Sequence, residues 1–294
     1  MIQFALVEII TKDKLIHQGI LHRPNKPTKK AILWVHGLTG RFYGDPLLMN
    51  LFAELSEKHD VGFASFNNRG HDMIAGLRRV DKDEPGGYSH VTIGAGMETF
   101  EECVFDIDAA VSFLVHQGFT EIFLAGHSTG ANKVCYYAAT KNNPYVVGIV
   151  LAGPISDRLS QHTDKLNYQK NLLLVKALIA AGKGDDVAQN THFFPITPHR
   201  ALSLLAPNSS EDVFNYGDTT KVLSVFSKIT KPLLVLFSGN DELADRPVEV
   251  IKQVFDAHTT SKHYVSKIIP DTTHSFPGKE KEFVTIVVKW AASL

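Results

Sequence analysis

One serine of this chain lies between two glycines where two sequence patterns meet. The segment EIFLAGHS is largely apolar and predicts a strand, whereas TGANKVCYYAAT, which follows it directly, predicts a helix. A serine on a sharp strand-to-helix turn needs glycine neighbours because larger side chains would collide, and such a turn exposes the hydroxyl. We therefore predict that Ser128 is a nucleophile. We also predict that the N–H of Thr129, at the start of the helix, stabilises an oxyanion.

A serine hydroxyl is a weak nucleophile, so this hypothesis needs a histidine base and an acid elsewhere in the chain. Asp241 follows the predicted strand PLLVLFSG, and His274 follows the predicted strand that ends at Ile269. Because ligand sites of open α/β sheets gather at the carboxyl ends of strands, both residues are expected near Ser128. We predict His274 as the base and Asp241 as the acid that orients it, with the adjacent Glu242 as the alternative acid.

Further site residues are expected in two loops. HGLTG, residues 36–40, follows the third predicted strand and is expected to supply a second oxyanion donor, the Leu38 N–H, while its first two residues shape the turn. Phe42 and Tyr43 come next and are candidates for the substrate pocket, although aromatic residues near a cleft are often core residues. The following residues could form an aromatic wall for a bulky ligand or belong to the core: His192, Phe193, Phe194, Phe214 and Tyr216.

The elements that would position these residues alternate between strand and helix. An antiparallel hairpin is predicted first, and continuous apolar strands such as AILWVHG are typical of a sheet covered on both faces. Strict alternation predicts parallel strands with right-handed crossovers. We therefore expect an α/β fold with a mostly parallel twisted sheet of about eight strands and helices on both faces. The glycine-rich segment MIAGLRRVDKDEPGGYSH, residues 73–90, is expected to be a loop.

The alternation stops after Gly153, and the region up to Thr230 contains no convincing strand. Four segments there are predicted to be helical: LNYQKNLLLVKALIAAG, PHRALSLLAP, SEDVFNYG and TKVLSVFSKI. The strand pattern returns with KPLLVLFSGNDE. We therefore predict a core domain of residues 1–152 and 232–294 that is interrupted by a helical lid of residues 153–231.

Composition excludes several classes of protein. The 294 residues include 30 basic and 31 acidic side chains, so the formal net charge of −1 offers no field to attract nucleic acid or a membrane surface. The sequence shows neither a signal peptide nor an apolar run long enough to span a membrane, and we expect a cytoplasmic protein. Cys103 and Cys135 are predicted to be buried free thiols. The 14 histidines lack the spacing of a metal site, so we expect no metal and no cofactor.

The motifs VHGLTG, NNRGHD, GHSTG, GNDE and THSF resemble those of the serine α/β-hydrolases over nearly the whole chain. HGLTGRFYGD, FNNRGHD and GHSTGANKVCYY are similar to the esterase group that contains the fungal siderophore esterases and their bacterial relatives. The same fold supports serine macrolide esterases, which open antibiotic lactones. The resemblance implies Ser128 as the nucleophile, Asp241 as the acid, His274 as the base, and Leu38 and Thr129 as oxyanion donors.

The expected activity is that of a serine carboxylic-ester hydrolase that acts through an acyl-enzyme. The expected partner is a small-molecule ester or lactone of medium or large size, such as a macrolide macrolactone or an ester siderophore, and the protein is expected to be a monomer or homodimer. Amidase, thioesterase and acyltransferase activities use the same triad and stay open. The alternative outside the enzymes is a ligand receptor that has the same fold and triad but binds its ligand without turnover. Ser128 argues against dehalogenase and epoxide hydrolase chemistry, which need a carboxylate at this turn.

Overall fold

A sheet of eight strands forms the centre of the protein in a computed structural model that describes residues 2–188, 194–218 and 220–294. The strands in these ranges are β1 (Ala5–Ile10), β2 (Ile16–His22), β3 (Lys30–Val35), β4 (Gly62–Phe66), β5 (Ala75–Val80), β6 (Tyr88–Ile93), β7 (Glu121–His127), β8 (Val146–Ala152), β9 (Leu233–Ser238) and β10 (Tyr264–Ile269). The central sheet has the order β1-β2-β4-β3-β7-β8-β9-β10. β2 is antiparallel to both of its neighbours, and all other neighbouring pairs are parallel. The predicted α/β fold and mostly parallel sheet are confirmed.

Helices cover both faces of this sheet. The helices of the described ranges are α1 (Pro46–His59), α2 (Cys103–His116), α3 (Thr129–Thr140), α4 (Asp157–Ser160), α5 (Lys165–Ala180), α6 (Pro198–Leu205), α7 (Val248–His258) and α8 (Glu280–Ser293). Successive side chains of a strand point to opposite faces. Leu33 and Val35 of β3 accordingly belong to the apolar cluster that includes residues of α2, α3 and α7, whereas Ile32 and Trp34 belong to the cluster that includes residues of α1 and α8. Cys103 on α2 and Cys135 on α3 are buried free thiols, as predicted.

The structure corrects the prediction of a loop over residues 73–90. β5 and β6 pair there as an antiparallel hairpin, from Ala75 opposite Ile93 to Val80 opposite Tyr88. Only one side chain of β5, that of Leu77, is buried, so this strand lacks the apolar alternation by which half-buried strands are recognised. The glycines of PGGY form the turn between the two strands, and Gly87 has a φ of +74° that favours glycine.

The segment between β8 and β9, residues 153–232, is called the insert below. It contains α4, α5 and α6, and α5 and α6 match two of the predicted helical segments. The other two predictions are wrong, because SEDVFNYG is irregular and TKVLSVFSKI contains a 3₁₀ turn at Phe226–Lys228 but no α-helix. Their apolar residues are buried for another reason, since Phe214 and Phe226 pack against Phe255 of α7. In the part of the chain that the structure describes, no helix is long and apolar enough to cross a bilayer.

Candidate active site

Ser128 lies at the sharp turn between β7 and α3, in a backbone conformation with φ +57° and ψ −130°. Its N–H donates to the carbonyl oxygen of Ala152 on the neighbouring strand at 2.9 Å. A Cβ atom on Gly126 would lie 2.3 Å from the carbonyl oxygen of Gly130, and one on Gly130 would lie 2.2 Å from that of Val35. Gly126 is needed because the backbone at the start of α3 folds back onto it, and Gly130 is needed because it packs against the backbone at the end of β3, so the predicted steric reason is confirmed.

The His274 side chain is held by a buried carboxylate. Its Nδ1–H donates to Oδ2 of Asp241 at 2.8 Å. The same carboxylate accepts from the Ser238 hydroxyl at 2.8 Å and from the Leu243 N–H at 3.1 Å. Burial is the largest effect and opposes ionisation of Asp241. The hydrogen bond from His274, the positive charge of a protonated His274 and the hydrogen bonds from Ser238 and Leu243 together outweigh it, so the pKa of the Asp241 carboxyl lies below its usual value. Asp241 is thus a carboxylate that holds the proton of His274 on Nδ1.

Glu242, the alternative acid, takes a different position. Its Oε2 accepts from the backbone N–H of His274 at 2.8 Å, so it supports the loop rather than the ring. The second ring nitrogen of His274, Nε2, is buried and has no hydrogen-bond partner among the described residues. A neutral imidazole with its proton on Nδ1 has a lone pair on Nε2, and this nitrogen is therefore available to accept a proton.

Two neighbours fix the orientation of the His274 loop. The Nε2–H of His127 donates to the carbonyl oxygen of His274 at 2.9 Å, and its ring lies parallel to that of Trp34. Burial, with a smaller contribution from His274, lowers the pKa of His127 to about 4, so this histidine is neutral near pH 7. Gly153 has a φ of +56°, and a Cβ there would lie 3.1 Å from Cε1 of His274. His127 thus packs on Trp34 of β3 and supports the His274 loop.

Two cavities meet at Ser128. A cavity of about 500 Å³ is lined by Ser128, His274 and Leu38, among others. A second cavity of about 220 Å³ is lined by Ser128, Leu38 and Thr129 together with Asp157. The structure therefore brings the five residues that the sequence predicts for the reaction to one place, with Asp241 behind His274. No group of three or more His, Cys, Asp or Glu side chains in the described ranges is arranged to hold a metal ion.

The loop that carries Leu38 is held against the nucleophile turn. A Cβ on Gly37 would lie 2.9 Å from the carbonyl oxygen of His127 and 3.0 Å from Cβ of Ser128, so this close approach requires glycine. The Nδ1–H of His36 donates to the carbonyl oxygen of Gly37 at 2.9 Å, and its Nε2 accepts from the Asn68 N–H at 3.1 Å. Burial is the largest of the effects that lower the pKa of His36 to about 3, so this side chain is neutral and has a structural role.

The structure corrects the placement of Phe42 and Tyr43. Phe42 is buried in the loop, where its N–H donates to Oδ1 of Asn67 at 3.0 Å, and its ring packs on that of Tyr43. Tyr43 is exposed beneath the guanidinium of Arg41. Neither residue is among those that line the two cavities, because the loop turns its glycines and Arg41 toward the larger one.

The predicted aromatic wall is only partly within the described residues. Phe194 is buried in a small apolar cluster with Val175 of α5 and Ile196, and this cluster belongs to the interior of the insert. Phe214 and Tyr216 pack on Phe255 of α7 and are core residues. His192 and Phe193 lie outside the described residues.

Sequence reasoning missed a buried ionic cluster that connects α3 with α6. Nζ of Lys133, on α3, contacts Oε2 of Glu98 at 2.6 Å, and Nη2 of Arg200, on α6, contacts Oε1 of Glu98 at 3.0 Å and Oε1 of Glu211 at 2.9 Å. These side chains are almost completely buried. The one signal in the sequence is a lysine, Lys133, among the mostly small and apolar residues of the helix that follows Ser128. The cluster ties the insert to the helix that carries the nucleophile turn.

Proteins of known structure show which class of protein this architecture defines. Est1E from Butyrivibrio proteoclasticus, solved with ferulic acid bound, matches with a TM-score of 0.63 and 18% identity over 97% of each chain. The siderophore hydrolase EstB from Aspergillus fumigatus matches with a TM-score of 0.64 and 16% identity over 99% of this chain and 97% of that chain. The protein has the α/β-hydrolase fold, which confirms the fold that the resemblance found in the sequence implies.

The family is defined by the sequence itself. Residues 88–292 match the family described as "Protein of unknown function (DUF1749)", and the chain belongs to it. A UPF0613 protein of Schizosaccharomyces pombe is 28% identical over 221 residues, which cover 64% of this chain and 68% of that protein.

Proposed function

We propose that the protein is a serine carboxylic-ester hydrolase that acts through an acyl-enzyme. The observation that carries the proposal is the shared cavity of Ser128 and His274. Asp241 binds Nδ1 of this imidazole from behind, and Nε2 has no hydrogen-bond partner among the described residues. The names of several structural neighbours, among them a siderophore hydrolase and a monoacylglycerol lipase from Paleococcus ferrophilus, support ester hydrolysis.

In the first stage, Nε2 of His274 takes the proton of Ser128 as Oγ attacks the ester carbonyl carbon. The positive charge that develops on the imidazole is stabilised by the Asp241 carboxylate. The carbonyl oxygen becomes an oxyanion that accepts hydrogen bonds from the N–H groups of Leu38 and Thr129. The first amides of a helix have no partner inside the helix, so the position of Thr129 at the start of α3 suits this role.

The two cavities bind different parts of the substrate. The departing alcohol must receive its proton from His274, so the alcohol part occupies the 500 Å³ cavity that His274 lines. The acyl part then extends into the 220 Å³ cavity beside Thr129 and Leu38. Water enters in the second stage, His274 takes a proton from it, and the acid is released from Ser128. The larger cavity has the size typical of small-molecule sites, so the alcohol part can be bulky, as in an ester siderophore or a macrolactone.

The insert covers this site in the proposed organisation, in which a lid of residues 153–231 interrupts a core of residues 1–152 and 232–294. Leu204 and Leu205 of α6 line the smaller cavity together with Leu38 of the core. The buried cluster around Arg200 joins α6 to α3, which supports a lid that is anchored close to the nucleophile.

The test compares Ser128→Ala with Ser275→Ala, because Ser275 lines the same larger cavity. With p-nitrophenyl butanoate, Ser128→Ala should lose on the order of 10⁶-fold in kcat. Ser275→Ala should stay close to the wild type. Mass spectrometry of a panel of ester siderophores, macrolactones, amides and thioesters incubated with the same proteins then identifies the bond that is cleaved. Full activity of Ser128→Ala, or a wild-type protein that binds esters tightly without turnover, would refute the proposal.

A further inference from the structure

The 220 Å³ cavity beside Ser128 combines apolar walls with a carboxylate. Its walls are formed mainly by leucines, from the loop after β3, from α6 and from the loop after β9: Leu38, Leu204, Leu205 and Leu243. Among the described residues that line it, Asp157 is the one ionisable side chain. The proposed mechanism does not use this carboxylate. Its chemistry therefore bears on which acyl group the cavity accepts, and the inference rests on the proposed function.

The carboxylate is held at a defined position relative to the nucleophile. Oδ2 of Asp157 accepts from Nδ2 of Asn132 at 3.0 Å, and the same amide nitrogen lies 3.2 Å from the carbonyl oxygen of Glu211. Asn132 lies on α3 four residues after Ser128, which is about one helical turn or 5.4 Å along the axis. A group that binds Asp157 is therefore close enough to belong to an acyl chain attached to Ser128.

The buried charges near this carboxylate are balanced without it. Two cations, Lys133 and Arg200, are bonded to two carboxylates, Glu98 and Glu211. Asp157 is a third carboxylate, and no described cation lies within ion-pair distance of it. Burial, and after it the charge of Glu211, raise the pKa of Asp157 to about 7, against the opposing effects of Arg200 and His274. An ionised carboxylate in such surroundings is costly unless a cation reaches it.

We propose that Asp157 determines acyl specificity by pairing with a protonated amine on the acyl chain of the substrate. The amine enters the cavity with the acyl group and completes the charge balance beside Asn132, while the leucines contact the intervening methylenes. The preferred substrates are therefore esters of amino-substituted carboxylic acids rather than of plain fatty acids. A charge-assisted hydrogen bond of this kind corresponds to a preference of roughly tenfold or more in kcat/KM.

The experiment uses pairs of p-nitrophenyl esters in which an ammonium group replaces a methyl group of the same size. The pairs are 3-aminopropanoate with butanoate and 6-aminohexanoate with heptanoate, assayed at pH 7.5 with Ser128→Ala as the blank. The wild type should favour the amino ester of at least one pair by about tenfold or more in kcat/KM. Asp157→Asn, which keeps an oxygen to accept from Asn132, should reduce this ratio to one or below. Asp185→Asn removes an exposed carboxylate of the insert and should leave the ratio unchanged.

The outcomes separate the two proposals. If the wild type favours the neutral ester in both pairs, or if Asp157→Asn keeps the preference for the amine, the role of Asp157 is refuted. If Asp157→Asn fails to fold, the wild-type ratio of kcat/KM between the amino and neutral esters alone decides whether the cavity prefers an amine. Butanoate hydrolysis that does not depend on Ser128 would instead refute the esterase mechanism.

Discussion

The assignment of Asp241, rather than Glu242, as the acid that orients His274 leads to a sharp prediction for Asp241→Asn. In the wild type, Oδ2 of Asp241 accepts from both Nδ1 of His274 and the hydroxyl of Ser238 at 2.8 Å. An asparagine that places its amide nitrogen there donates to Nδ1, so the imidazole proton moves to Nε2. That tautomer has no lone pair with which to take the proton of Ser128.

The magnitude follows from this change of tautomer. The same substitution in a serine triad of known mechanism lowers kcat by about 10⁴-fold with the geometry intact, which is about 5.4 kcal/mol of transition-state stabilisation. Glu242→Gln is the matched control, because the amide oxygen of glutamine can still accept from the backbone N–H of His274. We expect this variant to retain activity within about threefold of the wild type.

The assay is steady-state hydrolysis of p-nitrophenyl butanoate at pH 7.5, with urea unfolding curves to establish that both variants are folded. We expect KM to change little for Asp241→Asn, since the acid does not touch the substrate. Activity of Asp241→Asn within tenfold of the wild type, combined with an inactive Glu242→Gln, would show that Glu242 orients the base. If both variants were nearly fully active, His274 would need no acid and the reasoning would fail.

Three further predictions concern stability, and urea unfolding at 25 °C checks each of them. Gly130→Ala should cost about 3 kcal/mol or prevent folding, because its Cβ would overlap backbone carbonyl oxygens that cannot move away. Gly76→Ala is the control and should be close to neutral on steric grounds, because no atom lies within 4 Å of the new Cβ. Equal losses of stability in the two variants would refute the packing argument. Arg200→Met should cost about 3–5 kcal/mol, because Glu211 loses its ion-pair partner among the described residues while Glu98 keeps Lys133. A loss below 1 kcal/mol would show that the Glu211 carboxylate is solvated. The raised pKa of Asp157, about 7 when folded, favours the folded state at low pH, and this stabilisation is lost as the pH rises through 7. Asp157→Asn does not titrate and does not lose this stabilisation, so its free energy of unfolding relative to the wild type should rise by about 1.4 kcal/mol from pH 6 to pH 8. No change in this difference would show that the charge of Asp157 is already balanced in the folded wild type.

Much of the fold was predictable because its elements are encoded locally. The strands of the central sheet are short apolar runs, and the helices on its faces have apolar residues at helical spacing, so a local pattern indicates both kinds of element. β5 and β6 were missed because few of their side chains are buried. Two segments of the insert were taken for helices because their apolar residues have helical spacing, although those residues pack as irregular chain against Phe255.

The candidate site was predictable to the extent that it depends on chain order and on the ends of strands. Ser128, Asp241 and His274 each follow a strand of a parallel sheet, and this rule alone brings them to one edge. The choice between Asp241 and Glu242 was not predictable, because a difference of one residue decides which carboxylate reaches the ring and which reaches the backbone. Likewise, nothing in the local pattern indicates that Phe42 and Tyr43 turn away from the cavity.

The sequence by itself determined the parallel sheet, the glycine-flanked turn at Ser128 and the order of the reacting residues. Each of these follows from short-range steric constraints and from the spacing of apolar residues, and both can be read from segments of about ten residues. The tertiary structure alone decided that Asp157 lies beside the nucleophile and that its charge is not balanced by Lys133 and Arg200. The physical reason is that the electrostatic environment of a partly buried carboxylate depends on the charges around it, and these charges lie on helices that are far apart in the chain.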